Sequence, residues 1–267
     1  MALTCPHCRS PLTRSEKSYR CTQGHSFDLA KEGYLSLLHG RQRGEGRGDT
    51  KAMIQARDRV HQAGVFEPLV QALTALPLEK PINTVLELGC GEGFFLDHIA
   101  RAHGIATRYG LDLSVDAVKL AARRQPDALI LRADLLHPLP FADANVDLIQ
   151  SIFAPRPLAE IQRCLRPGGY ALFVFPQTNH WQELRAFVPL AAIGEEKLSA
   201  EKSAGFSTDT ESTLETARDL THDRLVDLVG MSPSIFRLNR ESPEWPKRIP
   251  ERLSVTLALR VILLRKN

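Results

Sequence analysis

The chain has 267 residues, 43% of them hydrophobic, enough for one full-sized α/β domain with a small addition. It lacks any run of about eighteen apolar residues, and its first ten residues hold Cys and His where an export signal would be apolar. No membrane span or export is therefore expected, and the protein reads as cytoplasmic. The net charge of +3 decides little by itself, but eleven Lys and Arg against six Asp and Glu fall in the first sixty residues, so the basic bias is N-terminal. Five cysteines, an odd number, point to thiols or metal ligands in preference to disulfides.

Cys5-Pro-His-Cys8 is followed twelve residues later by Cys21-Thr-Gln-Gly-His25. Two close ligand pairs a dozen residues apart are how a short hairpin brings four donors to a tetrahedral ion, and three thiolates with one imidazole favour zinc. Four protein ligands leave no open position, so the site is read as structural. His7 is a rival to His25, but lies inside the first turn, poorly placed to close the site. After Leu38, four glycines in the ten residues from Gly40 to Asp49 predict a flexible tether. Its Arg41, Arg43 and Arg47 suit either a phosphate backbone or a solvated linker. Met53, Ile54, Ala56, Val60 and Ala63 fit one amphipathic helix, and Val65 to Leu73 a second.

Val85-Leu-Glu-Leu-Gly-Cys-Gly-Glu-Gly-Phe-Phe95 then reads as a buried strand turning sharply into a helix. Gly89, Gly91 and Gly93 leave the backbone bare, either because φ must be positive there or because a ligand lies on the main chain beside the helix N-terminus. Nineteen residues after Gly93, a second strand ends in Asp112, where a doubly wound sheet places the acceptor for ribose hydroxyls. A third strand, Ala128 to Ala133, ends in Asp134, suited to an adenine amino group. The turn departs from the G-x-G-x-x-G of nicotinamide-binding proteins, so no pyrophosphate is called for.

Val146 to Phe153 is expected as a fourth strand, Leu158 to Leu165 as a helix, Arg166-Pro-Gly-Gly169 as a turn and Tyr170 to Phe175 as a fifth strand. In the tail, Asn179 to Leu190 looks helical, Thr208 to Leu220 extended and His222 to Met231 helical. The alternation from Leu253 to Leu263 marks a last long strand, completing a seven-stranded doubly wound sheet.

The glycine turn, the two strand-end aspartates and the late Arg-Pro-Gly-Gly together resemble the class I S-adenosylmethionine-dependent methyltransferases, with their Rossmann-like fold. Cys-Pro-His-Cys, Cys-Thr-Gln-Gly-His-Ser-Phe-Asp, Met-Ile-Gln-Ala-Arg, Gln-Ala-Gly-Val-Phe-Glu-Pro-Leu and Phe-Ala-Pro-Arg, in that order, are similar to the 23S ribosomal RNA guanine-N1 methyltransferases, which include a branch linked to macrolide-type antibiotic resistance. The resemblance implies Cys5, Cys8, Cys21 and His25 on zinc and Phe66, Gly91, Glu92 and His180 around S-adenosylmethionine, joined by Gly89, Gly93, Asp112 and Asp134 from the spacing above. Position 66 is often Tyr in that family, so Phe66 keeps a packing face and loses a hydroxyl. It also implies an RNA hairpin as substrate, homodimers whose joined surfaces form a cleft for RNA, residues 1–36 as an RNA-binding zinc module, 37–80 as linker with helices and 81–267 as the methyltransferase domain. Phe153 is a candidate for stacking on the target base, and Ser151 stands where amino-group methylases often carry Asp or Asn. The general base is not identified. The alternatives are a small-molecule or quinone-type methyltransferase and a non-catalytic zinc-dependent RNA-binding protein.

Overall fold

The computed structural model describes residues 3–38, 48–79, 81–193 and 205–267. Most of the expected glycine-arginine tether therefore lies outside the described residues, with Arg41, Arg43 and Arg47. The N-terminal segment forms a three-stranded antiparallel sheet of β1 (Leu12–Ser15), β2 (Ser18–Cys21) and β3 (Ser26–Asp28). A two-residue strand, β4 (Leu35–Ser36), leads away from it.

Two helices follow, α1 (Lys51–Gln62) and α2 (Glu67–Thr74). Thr50 caps α1 by accepting a bond from the Met53 N–H at 3.3 Å, satisfying one of the donors left free at a helix start. Then β5 (Thr84–Leu88), α3 (Phe94–Ala102), β6 (Thr107–Asp112), α4 (Val115–Arg124) and β7 (Ala128–Arg132) alternate as the sequence predicts. They are followed by β8 (Val146–Ile152), α5 (Leu158–Cys164) and β9 (Leu165–Pro176). The Arg-Pro-Gly-Gly turn is absorbed into β9 as an irregularity: Leu165 already pairs with Val146, and Gly168 takes φ 70° so that the strand resumes at Tyr170. The expected helix from Asn179 to Leu190 shrinks to one 3-10 turn, Gln182–Ala186, entered from a left-handed Trp181 at φ 50°. The tail closes with β10 (Phe206–Thr221), α6 (His222–Gly230), α7 (Ile235–Glu241) and β11 (Arg252–Lys266).

The main sheet runs β10-β11-β9-β8-β5-β6-β7-β4, parallel except where β11 pairs with β9 and β10. Seven of its strands are those expected. The eighth is β4, whose Leu35 and Ser36 pair with Leu131 and Arg132 of β7. Because a strand's side chains alternate, each strand feeds two cores. On one face Val85, Ile130, Leu148, Leu172 and Val174 pack with buried residues of α1, α2, α3, α4, α6 and α7. On the other, Leu86, Leu88, Leu111, Leu131, Ile149 and Phe173 pack with Ile161 of α5 and with Leu3, Tyr19, Phe27, Leu35 and Leu37 of the N-terminal segment. The zinc-ligand segment thus covers a sheet face in the way a helix ordinarily would. Polar bonds fix it there: Thr4 N–H donates to Pro140 O at 2.9 Å, Leu37 N–H to Arg132 O at 2.9 Å, and Arg9 Nη1 to Leu139 O at 3.0 Å. No helix among the described residues is long and apolar enough to cross a membrane.

Candidate functional site

Cys5, Cys8, Cys21 and His25 converge with all four ligand atoms within 4.8 Å of one another. Cys8 Sγ lies 3.6 Å from Cys21 Sγ, and His25 Nδ1 lies 3.5 Å from Cys5 Sγ and 3.4 Å from Cys21 Sγ. Zinc–sulfur bonds of about 2.3 Å in a tetrahedron place sulfurs roughly 3.8 Å apart, so the spacing fits one zinc ion with no vacant position. Hydrogen bonds from Ser10 draw the Cys8 thiol toward thiolate, lowering it to about 6. His25 stands in the fourth ligand position, and the His7 ring lies beside it, tilted, at 4.8 Å between centroids. The other two cysteines are buried thiols: burial pushes Cys164 up to about 12 and Cys90 well above the ordinary range.

The glycine turn sits at the carboxyl ends of the parallel strands, where open α/β sheets bind ligands. Gly89, Gly91 and Gly93 all take positive φ, at 69°, 54° and 83°. A side chain at two of them would also force a shift: a Cβ on Gly89 would stand 2.5 Å from the Ala154 Cβ, and one on Gly93 would stand 2.1 Å from Gln125 Nε2, displacing that amide. Asp112 ties the turn to β6, its two oxygens accepting from Gly91 N–H at 2.9 Å and Ser114 N–H at 2.8 Å. A carboxylate offers about four acceptor positions, so two remain for a ligand.

Three carboxyls crowd this point, those of Glu87 and Glu92 buried and that of Asp112 half-buried. Burial raises Asp112 above the usual carboxylate range against the pull of those two N–H bonds, and raises Glu87 further, with Glu92 adding repulsion. Glu92 pairs with Nδ1 of His61 from α1, while its Oε2, like Oε2 of Glu87, is buried without a hydrogen bond among the described residues. Buried unpaired acceptors are costly. A ligand bearing positive charge and N–H donors meets that demand, and the sulfonium and ammonium of S-adenosylmethionine supply both. Arg57, one turn before His61, reaches the same place, with Nη1 only 3.3 Å from where a Cβ on Gly91 would stand.

An aromatic cup adjoins the turn. Phe66 packs against Phe95 at 6.2 Å, Phe153 at 5.5 Å and Trp181 at 6.3 Å between ring centroids, and His180 stacks on Trp181 at 4.3 Å. Phe153 and Trp181 both adopt left-handed backbone, at φ 58° and 50°, which bulky residues seldom do outside functional sites. Phe153 remains 40% exposed whereas Phe66 is buried. His180 accepts the Ala258 N–H on Nδ1 at 3.2 Å, so its proton resides on Nε2, and burial lowers its pKa to about 3. Ser151 donates to Ala154 O at 3.0 Å, a local turn bond.

The structure therefore gathers Phe66, Gly89, Gly91, Glu92, Gly93, Asp112 and His180 around one end of the sheet. Asp134 lies at the end of β7, its Oδ1 accepting Leu136 N–H at 3.0 Å and its Oδ2 3.4 Å from His137 Nδ1. Both of these contacts lie within its own turn. Sequence reasoning missed Arg57, His61 and Gln125. The first two had a signal: with Met53 they repeat every four residues along α1, a stripe aligned with one buried face.

A glycine turn with an acidic strand end, on a doubly wound sheet closed by a reversed last strand, defines a class I S-adenosylmethionine-dependent methyltransferase, here joined to a structural zinc ribbon. Residues 3–43 match the family model described as RlmA, N-terminal, a zinc ribbon, and residues 85–169 match that described as methyltransferase domain. A 23S rRNA (guanine(748)-N(1))-methyltransferase of Streptomyces fradiae is 35% identical over 93% of this chain and 90% of its own length. A Micromonospora griseorubida protein, provisionally named as a 23S rRNA (guanine-N(1)-)-methyltransferase, is 32% identical over 98% of this chain and 97% of its own. Among solved structures, a SAM dependent methyltransferase from Aquifex aeolicus shares the fold with a TM-score of 0.52 at 16% identity, covering 82% of this chain and all of that one. The chain belongs to the 23S rRNA (guanine-N1)-methyltransferase family.

Proposed function

We propose that this protein transfers a methyl group from S-adenosylmethionine to N1 of a guanine in a hairpin loop of 23S ribosomal RNA, in the cytoplasm. The observation that carries this reading is the zinc ribbon's place in the main sheet: β4 joins β7, and the ribbon covers one sheet face, so the basic module and the cofactor turn form one body. End-to-end likeness to an enzyme named for that reaction supports it. A basic ribbon suits a phosphate backbone, whereas a small metabolite has little use for one.

S-adenosylmethionine supplies a methyl group on a sulfonium, already a strong electrophile, so the protein's task is positioning and proton removal. In this reading Asp112 receives the ribose hydroxyls, Asp134 the adenine amino group, Glu92 the ammonium, and Gly89, Gly91 and Gly93 admit the ligand to the bare backbone. Phe66 walls the pocket by packing alone. The target guanine, unstacked from its loop, lies on Phe153. His180 is unsuited to be the base, because Nδ1 is already an acceptor for a backbone N–H and Nε2 holds its proton. It contacts the ligands as a neutral donor. Two chains pair so that their joined surfaces form a cleft for the RNA.

The test is direct. Unmodified 23S rRNA incubated with the protein and S-adenosylmethionine is probed by reverse transcription, which halts at N1-methylguanine because its pairing edge is blocked. One new stop in a hairpin loop is expected, with position 748 the first to inspect. Methyl incorporation at another atom, or none, overturns the reading.

A further inference from the structure

We propose that Arg57 and Glu92 form a clamp for the amino-acid end of the methyl donor, Arg57 taking the carboxylate and the unpaired oxygen of Glu92 the ammonium. The proposal rests on the use of S-adenosylmethionine and is independent of which RNA is methylated.

S-adenosylmethionine carries a zwitterionic amino acid beyond its sulfonium. A site with only Asp112, Glu92 and Glu87 would serve the positive groups and repel the carboxylate. Arg57 supplies the missing sign. It occupies the α1 stripe of Met53, Arg57 and His61, two of which are buried, and that stripe lies against the glycine turn. The guanidinium comes within 3.3 Å of the position a Gly91 Cβ would take, so it lies directly over the bare backbone of the turn. Its side chain is 23% exposed. Neighbouring arginines are committed elsewhere: Arg59 binds Asp227 at 2.6 Å and Arg124 binds Asp58 at 2.6 Å.

The residue paired with Arg57 is Asp49, from the chain entering α1. Asp49 is itself anchored, its carbonyl accepting from Ser114 Oγ at 2.6 Å beside the acidic end of β6. A carboxylate thus already sits on Arg57 next to the bare backbone of the turn, where a ligand carboxylate would be received. A guanidinium has five donors in a planar fork and can hold one carboxylate while admitting another. Glu92 completes the arrangement. His61 takes one of its oxygens, and the other is buried with no partner among the described residues.

Calorimetric binding of two ligands separates this role from a structural one. S-adenosylhomocysteine carries the amino acid; 5′-methylthioadenosine keeps the adenosine and the thioether and lacks it. Arg57→Gln is expected to weaken S-adenosylhomocysteine about 10- to 100-fold, the range for a charge-assisted bond, and to leave 5′-methylthioadenosine within about twofold. Arg57→Lys, which keeps the charge without the fork, is expected to fall between. Asp49→Asn frees the guanidinium and is expected to hold or tighten S-adenosylhomocysteine binding. Equal losses for both ligands in Arg57→Gln, no loss for either, or a loss in Asp49→Asn as large as in Arg57→Gln would each overturn the clamp. Failure of the unaltered protein to bind S-adenosylhomocysteine would overturn the methyl-donor reading with it, whereas a failure to methylate RNA would leave the clamp standing.

Discussion

Removing zinc should melt the methyltransferase sheet at a lower temperature, and the size of the effect follows from what the ribbon buries. Structural zinc contributes on the order of 10 kcal/mol to folding modules of this kind, so the ribbon cannot hold its shape without it. Once it loosens, Leu3, Leu35 and Leu37, at 3%, 0% and 2% exposure, leave the lower sheet face. At about 2 kcal/mol for each, discounted for partial burial in the unfolded chain, this amounts to roughly 4–5 kcal/mol. A chain of this size shifts by about 2–4 °C per kcal/mol, giving a fall of roughly 8–20 °C. Differential scanning calorimetry of native and chelator-treated protein, with the released zinc quantified in the same sample, measures it. Full release with the main transition displaced by less than about 2 °C would refute the idea that ribbon and sheet share a core.

Gly89→Ala should abolish S-adenosylhomocysteine binding, since the new methyl meets Ala154 at 2.5 Å and adds about 1–2 kcal/mol of left-handed strain; titration calorimetry on protein of native circular dichroism decides it. Phe153→Ala should leave cofactor binding intact and lower kcat/KM on RNA about 5- to 150-fold, the worth of one stacked base, as single-turnover methylation would show. His180 has its folded-state pKa depressed by burial to about 3, so the unfolded chain takes up a proton below about 6.5 that the native one refuses. Its contribution is complete above that pH and drains away as the pH falls toward 3. His180→Asn keeps an acceptor for the Ala258 N–H, and should therefore lose roughly 2–3 kcal/mol less stability than the unaltered chain between about pH 6.5 and 4.5 in urea titrations.

The cofactor half of the site was legible because its residues are close in sequence to the strands that place them. Gly89 to Asp112 is one strand-helix-strand unit, and the spacing of such a unit is nearly fixed by geometry. The zinc ligands were legible for the same reason, two turns on one hairpin. What escaped is long-range. Nothing near Leu35 announces that it will pair with Leu131, since a two-residue strand has no periodicity to read. Leu3 and Phe27 look like the private core of a small ribbon, and only the three-dimensional packing shows them facing Leu131 and Phe141. Arg57 falls between the apolar positions of an amphipathic helix, where charge ordinarily faces water; it is drawn inward by carboxylates at positions 49, 92 and 112. The tail misled differently. Asn179 to Leu190 has helical composition, but Trp181 in left-handed backbone and Pro189 cut it to a single 3-10 turn.

The pairing of Leu35 with Leu131 also imposes a timetable on synthesis. A ribosome extending the chain at about 5–20 residues per second needs on the order of 5–20 s to travel from one to the other. For that interval the newborn ribbon exists without the sheet it is meant to cover, its apolar underside bare. Zinc captured at once by Cys5, Cys8, Cys21 and His25 would keep that short segment ordered while it waits, and metal supply during translation would then govern how much of the chain reaches the native state.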